Sequence, residues 1–133
     1  MNDRERWILE WLRKGDNDLR AAGAILLLED APFDVVCFHT QQCVEKYLKG
    51  FLTFYQKEVR RTHDLVSLLG ECNQIDSSFA EWEEVCEQLT SYAIEARYPA
   101  EFSEYSVEEA EDAVSSATRF KAFVRDKISI TET

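Results

Sequence analysis

Gln42, Glu45, Lys46 and Lys49 stand three, one and three residues apart, which brings two ammonium groups, a carboxylate and an amide to one side of a helix. Amides and a carboxylate can read a base or a ribose, and lysines hold phosphate as point charges. The same four groups can equally satisfy one another, inside the protein or against a second copy. Glu45 and Lys49 are in the favourable order for an ion pair four residues apart. Only two histidines are present, His39 and His63. His63 follows Arg60, Arg61 and Thr62. An imidazole beside guanidinium groups suits an anion or a proton transfer, or it packs beside Thr62 and Asp64 and fixes the loop. His39, between Phe38 and the Gln41-Gln42 pair, reads as structural. Arg97 stands near a helix end, where a guanidinium either closes the last carbonyls or reaches a neighbour's carboxylate.

A lone exposed ion pair is worth at most about 1 kcal/mol, so single lysines make no site. Several cations on one phosphate do. The candidate is an anion site built from Lys46, Lys49, Arg61, His63 and Arg97, with Gln42 and Glu45 toward a base or sugar. No catalytic, cofactor or metal motif accompanies it. The chain has no Gly-rich phosphate loop, no Gly-x-Ser-x-Gly, no His-Glu-x-x-His and no Glu-x-x-His. Cys37, Cys43, Cys72 and Cys86 lack the close spacing of a zinc knuckle or a redox pair and read as reduced, mostly buried thiols of a cytoplasmic protein. Met1-Asn2-Asp3-Arg4-Glu5-Arg6 has no apolar signal-peptide core, and no apolar run approaches a membrane span.

The elements that must position these groups are helical. The chain has 133 residues, a single-domain length (residues 1–133) with room for a real core. Gly and Pro number only four and two, which excludes a turn-rich sandwich or barrel. Apolar residues recur at helical spacing through five segments. These are about Asp3 to Glu29, Phe33 to Lys57, His63 to Asn73 with Thr62 as cap, Ser77 to Ala96, and a last helix from the capping box Ser106-Val107-Glu108-Glu109 to about Lys127. Pro32 and Pro99 mark two of the breaks. The segments pack most simply as an all-α, up-and-down antiparallel bundle of about five helices. Trp7, Trp11, Phe38, Phe51, Phe79, Trp82 and Phe120 are expected in its core. Tyr47, Phe54 and Tyr55 supply more aromatic surface than one inward stripe needs, as a two-fold dimer would use.

Charge narrows the partners. The formal net charge of −11 argues against bulk binding to duplex nucleic acid. The charge is uneven: residues 1–70 carry ten basic and eleven acidic side chains, residues 71–133 five and fifteen. Lys46, Lys49, Lys57, Arg60 and Arg61 form a small basic patch on this acidic molecule, either a solvated face or a place for a phosphate or an acidic partner.

The run Cys37-Phe38-His39-Thr40-Gln41-Gln42-Cys43-Val44-Glu45-Lys46-Tyr47-Leu48-Lys49-Gly50-Phe51-Leu52 resembles the second-helix signature of the HEPN family, the higher-eukaryote and prokaryote nucleotide-binding domains. Trp11 through Ala22, Thr62-His63-Asp64-Leu65 and Ala96-Arg97-Tyr98-Pro99 resemble three further family segments in the same order, so the likeness covers essentially the whole chain. The resemblance implies a helical bundle that forms homodimers. Many members are ribonucleases, often toxins, with an Arg followed after four to six residues by His. This chain lacks that pair: Pro32, Phe33 and Asp34 precede His39 at the required distances, and Gln56, Lys57 and Glu58 precede His63. Other members are small, non-nuclease proteins associated with a minimal nucleotidyltransferase in systems of toxin–antitoxin type. The resemblance therefore implies a non-enzymatic dimeric module that binds a nucleotide or RNA, or partners such a nucleotidyltransferase. The alternative is an atypical, metal-independent ribonuclease using His63 and arginines.

Overall fold

The computed structural model describes residues 1–97 and 105–129, apart from the side chains of residues 93–97. Five α-helices follow one another: α1 (Asp3–Leu26), α2 (Phe33–Phe54), α3 (Leu65–Ile75), α4 (Glu83–Arg97) and α5 (Val107–Arg125). A 3-10 turn over Ser77–Trp82 leads into α4, and no strand occurs among the described residues. The all-α, up-and-down bundle read from periodicity is the observed fold. The stop expected at Tyr98-Pro99 lies outside the described residues.

Local chemistry sets the helix ends. The Asn2 side chain accepts from the Glu5 amide at 2.9 Å and starts α1. The capping box at Ser106 and Glu109 is present in both directions. The fourth helix, expected from about Ser77, begins at Glu83, because Ser77–Trp82 winds as the 3-10 turn; three more boundaries differ clearly from the expected ones. α1 ends at Leu26 rather than Glu29, because Leu27 and Leu28 close tighter bonds to Ala24 and Ile25 and Asp30 turns left-handed at φ 54°. α2 ends at Phe54 rather than Lys57. Gln56 takes φ 60°, Lys57 N–H reaches Leu52 O at 2.9 Å and Gln56 N–H reaches Thr53 O at 3.0 Å, a Schellman closure with glutamine where glycine is usual. α3 starts at Leu65 with Asp64, not Thr62, as its cap; Asp64 Oδ1 accepts from Val66 N and Ser67 N. His63 is thereby left in the preceding loop, outside any helix.

α2 is the spine. It packs most extensively against α1 and also against α5, α4 and α3. Tyr47, Leu48, Phe51 and Leu52 are fully buried, each worth roughly 1.5–3 kcal/mol of transfer. Phe51 meets Phe79 at 4.5 Å between ring centroids, and Phe120 meets Trp82 at 5.1 Å. All four cysteines are buried thiols. Burial pushes the Cys86 thiol up to about 12, and burial with the nearby Asp18 and Asp16 carboxylates does the same for Cys43. Three aromatics expected in the core are not there. Trp7 is 63% exposed, Phe38 is partly exposed, and Trp11 is only half-buried, outside the core cluster. Tyr47, expected at an outer face, lies wholly inside. Among the described residues no helix is long and apolar enough to cross a membrane.

Candidate functional site

One face of α2 turns away from α4 and α5 and carries the polar stripe. His39 Nδ1 donates to Asp18 Oδ1 of α1 at 3.0 Å, and Lys46 Nζ donates to Asp18 Oδ2 at 2.8 Å. Lys46 also reaches Gln42 Oε1 at 3.2 Å. Gln42 Nε2 then donates to Gln41 Oε1 at 2.6 Å, and Gln41 Nε2 donates to the His63 carbonyl at 3.2 Å. The chain of bonds closes on a carboxylate. His63 Nδ1 donates to Glu45 Oε1 at 2.7 Å, and Lys49 Nζ donates to Glu45 Oε2 at 3.1 Å. The Glu45 side chain is 4% exposed and that of Lys49 is 8%, whereas that of His63 is 57%. A carboxylate only accepts, so Nδ1 carries the imidazole hydrogen and Nε2 is the nitrogen left for other partners. The expected ion pair between Glu45 and Lys49 is present, and it is buried.

Beside this network lies a groove of about 380 Å³ lined by Trp7, Trp11, Lys49, Thr53, Val59, Arg60 and Arg61. Lys49 Nζ sits 5.5 Å from the Trp11 ring centroid, close enough for a cation–π contact. Trp7 forms the outer wall, and a second depression of about 300 Å³ lies beyond it between Arg6 and Glu10. Arg60 is half-exposed but tied to Glu71 at 2.9 Å and to Ser67, and Arg61 is exposed on the same side of the groove. Two tryptophan faces, an ammonium and a guanidinium can hold a flat ring and a phosphate together.

The structure therefore gathers Gln42, Glu45, Lys46, Lys49 and His63 into one network and sets Arg61 across the groove from Lys49. It also divides them. Lys46 is engaged by Asp18, and Glu45 is closed off behind Lys49, so neither faces the groove. The side chain of Arg97 lies outside the described residues. Reading the sequence missed Asp18, which holds both His39 and Lys46, and it placed Trp7 and Trp11 in the core. Their four-residue spacing, which puts both on one face of the first helix, was the available signal.

A second polar cluster was not foreseen. The Tyr47 hydroxyl bonds Asp16, Arg125 Nε donates to the Tyr47 hydroxyl at 3.1 Å, and Arg125 and Lys121 reach Asp16 at 2.8 and 3.1 Å. Burial alone pushes the Asp16 carboxyl upward. The bonds from Tyr47 and Lys121 and the Arg125 charge outweigh it and hold the carboxyl below its ordinary range. Every member is paired, and the cluster pins α1, α2 and α5 together.

Among the described residues no three His, Cys, Asp or Glu side chains are gathered closely enough to hold a metal ion. A family model described as HEPN domain matches residues 8–127. The crystal structure of TT1696 from Thermus thermophilus is similar at 28% identity and a TM-score of 0.80, covering 96% of this chain and all of that one. The crystal structure of ST0689, an archaeal HEPN homologue, is similar at 25% identity and a TM-score of 0.74, covering 92% and 98%. A search of curated proteins found no match.

Proposed function

The chain belongs to the HEPN domain family, and from that premise we propose that it is a dimeric, non-catalytic module that binds an RNA-like ligand in the tryptophan-walled groove. The observation that carries this reading is the groove itself. On a molecule of net charge −11 it sets Trp7 and Trp11 against Lys49 and Arg61. Stacking on an aromatic face is worth about 1–3 kcal/mol per base and is tolerant of sequence. Lys46, paired with Asp18 and absent from the groove lining, supports the reading less directly, by holding the wall rather than by meeting the ligand. A docked protein, including a minimal nucleotidyltransferase, would use the same exposed aromatics and is the competing occupant.

The test is a titration of short single-stranded RNA at low and moderate salt, read by tryptophan fluorescence. Trp7→Ala and Arg61→Ala change exposed side chains and leave the core intact. Each should weaken binding by about tenfold, and the wild-type affinity should fall with salt. Equal binding by wild type and both variants, or none by any, overturns the reading and leaves protein docking. One observation favours cleavage instead: the Glu45–His63 pair orients an imidazole whose other nitrogen is on an exposed side chain. RNA cleavage that disappears in His63→Ala would establish that second reading.

A further inference from the structure

Glu45 divides its carboxylate between an ammonium and an imidazole. Of the two, the imidazole is the type of side chain that ordinarily changes charge between about pH 5 and pH 8. Lys49 also lines the groove, and His63 does not. His63 bonds Glu45 of α2, behind which stands Lys49; the other ionisable groups on the adjoining elements are Arg60 and Arg61 earlier in its loop, Glu71 of α3, which holds Arg60, and Asp64, whose carboxylate caps α3. The α1 side of the groove contributes Trp7 and Trp11, without charge.

We propose that anion binding in this groove is coupled to protonation of His63 through Glu45. The coupling rests on the groove being the ligand site argued above. With His63 neutral, the Glu45 carboxylate balances Lys49, and the ammonium has little net charge to offer the groove. A phosphodiester arriving at Lys49 competes with Glu45 for that ammonium and leaves a buried carboxylate short of a partner, which is costly. A proton on His63 restores the balance at the other carboxylate oxygen. The proton comes from solvent and goes to Nε2, since Nδ1 already carries a hydrogen toward Glu45. Charge is conserved: one anion enters and one proton is taken up. By linkage, an anion that favours the protonated form binds more tightly as pH falls through the imidazole range.

The probe is a 2′-O-methylated uridine hexamer, whose phosphodiesters keep their charge over this range and which cannot be cleaved through a 2′-hydroxyl. Wild-type protein should bind it about tenfold more tightly near pH 6 than near pH 8. Calorimetry in two buffers of different ionisation enthalpy should record net proton uptake on binding. His63→Gln changes an exposed side chain and should bind with the wild-type affinity of pH 8 at both pH values. His39→Gln, on the Asp18 end of the network, should keep the wild-type pH dependence. Equal wild-type affinity at both pH values, without proton uptake, overturns the coupling and leaves the groove standing as a ligand site. A pH dependence that survives in His63→Gln also overturns it, because the proton then goes elsewhere. Absence of binding at either pH removes both the coupling and the ligand site.

Discussion

Asp76 does two jobs with one carboxylate. Its Oδ1 accepts from Ser78 and starts the 3-10 turn, and its Oδ2 receives Lys127 at 2.7 Å from beyond α5. The Lys127 bond, then the Ser78 bonds, hold the carboxyl down to about 2. A carboxylate whose folded pKa lies below the unfolded value of about 3.9 stabilises the fold above that value and loses its contribution as pH falls through the folded one. Asp76→Asn keeps the capping oxygen and removes the charge. We expect it to melt below wild type at neutral pH, with the gap closing between about pH 4 and pH 2; thermal melts across that range measure it. At this scale the sequence was partly legible. The stripe of Gln42, Glu45, Lys46 and Lys49 could be read because spacing along one helix is a local property. Asp18 as the partner of Lys46 could not, because it stands 28 residues away and only packing of α1 on α2 brings them together. The exposure of Trp7 was hidden for the same reason: periodicity says which residues share a face, not whether another helix covers it.

At the scale of elements, the α1–α2 contact is the most extensive among the described residues, and two glycines of α1 stand in opposite situations. A Cβ on Gly15 would lie 2.9 Å from two ring atoms of Tyr47, which is fully buried and has no room to retreat. A Cβ on Gly23 would meet nothing within 4 Å. Gly15→Ala should therefore destabilise by about 1–3 kcal/mol through overpacking. Gly23→Ala should stabilise by about 0.5–1 kcal/mol, because it removes the backbone entropy that glycine loses in a helix. Urea denaturation of the two variants gives opposite signs if this account holds, and the same sign overturns it. Nothing in the sequence separates the two glycines, which stand eight residues apart within one helix. All five helices were legible because their apolar stripes run for several turns. Their C-termini were less so, since the left-handed residues that end α1 and α2 are Asp30 and Gln56 rather than glycine.

The whole molecule is acidic; several of its cations, such as Lys46, Arg125 and Lys127, are drawn into pairs, and Lys49, Arg60 and Arg61 line one groove. Size, fold class and the absence of a nuclease pair were readable from the chain alone; which cations stayed available was not, because that depends on every neighbouring carboxylate. The reading as a dimer makes its own demand at this scale. Trp7, Leu27, Leu28, Phe38 and Tyr55 all stay exposed on the single chain, and a second copy covering some of them is what the dimer requires. Sedimentation at micromolar concentration should find a species of twice the 15.5 kDa chain mass; a species of 15.5 kDa alone would remove the dimer. The central position of α2 has a consequence for how the chain is made. α2 leaves the ribosome early, yet Phe120 and Val124, which help to cover it, belong to α5. At about 5–20 residues per second, the spine waits several seconds with its apolar side open. For that interval the nascent chain is a client for whatever guards unfinished proteins, and the rate of translation past α3 and α4 sets how long it must be guarded.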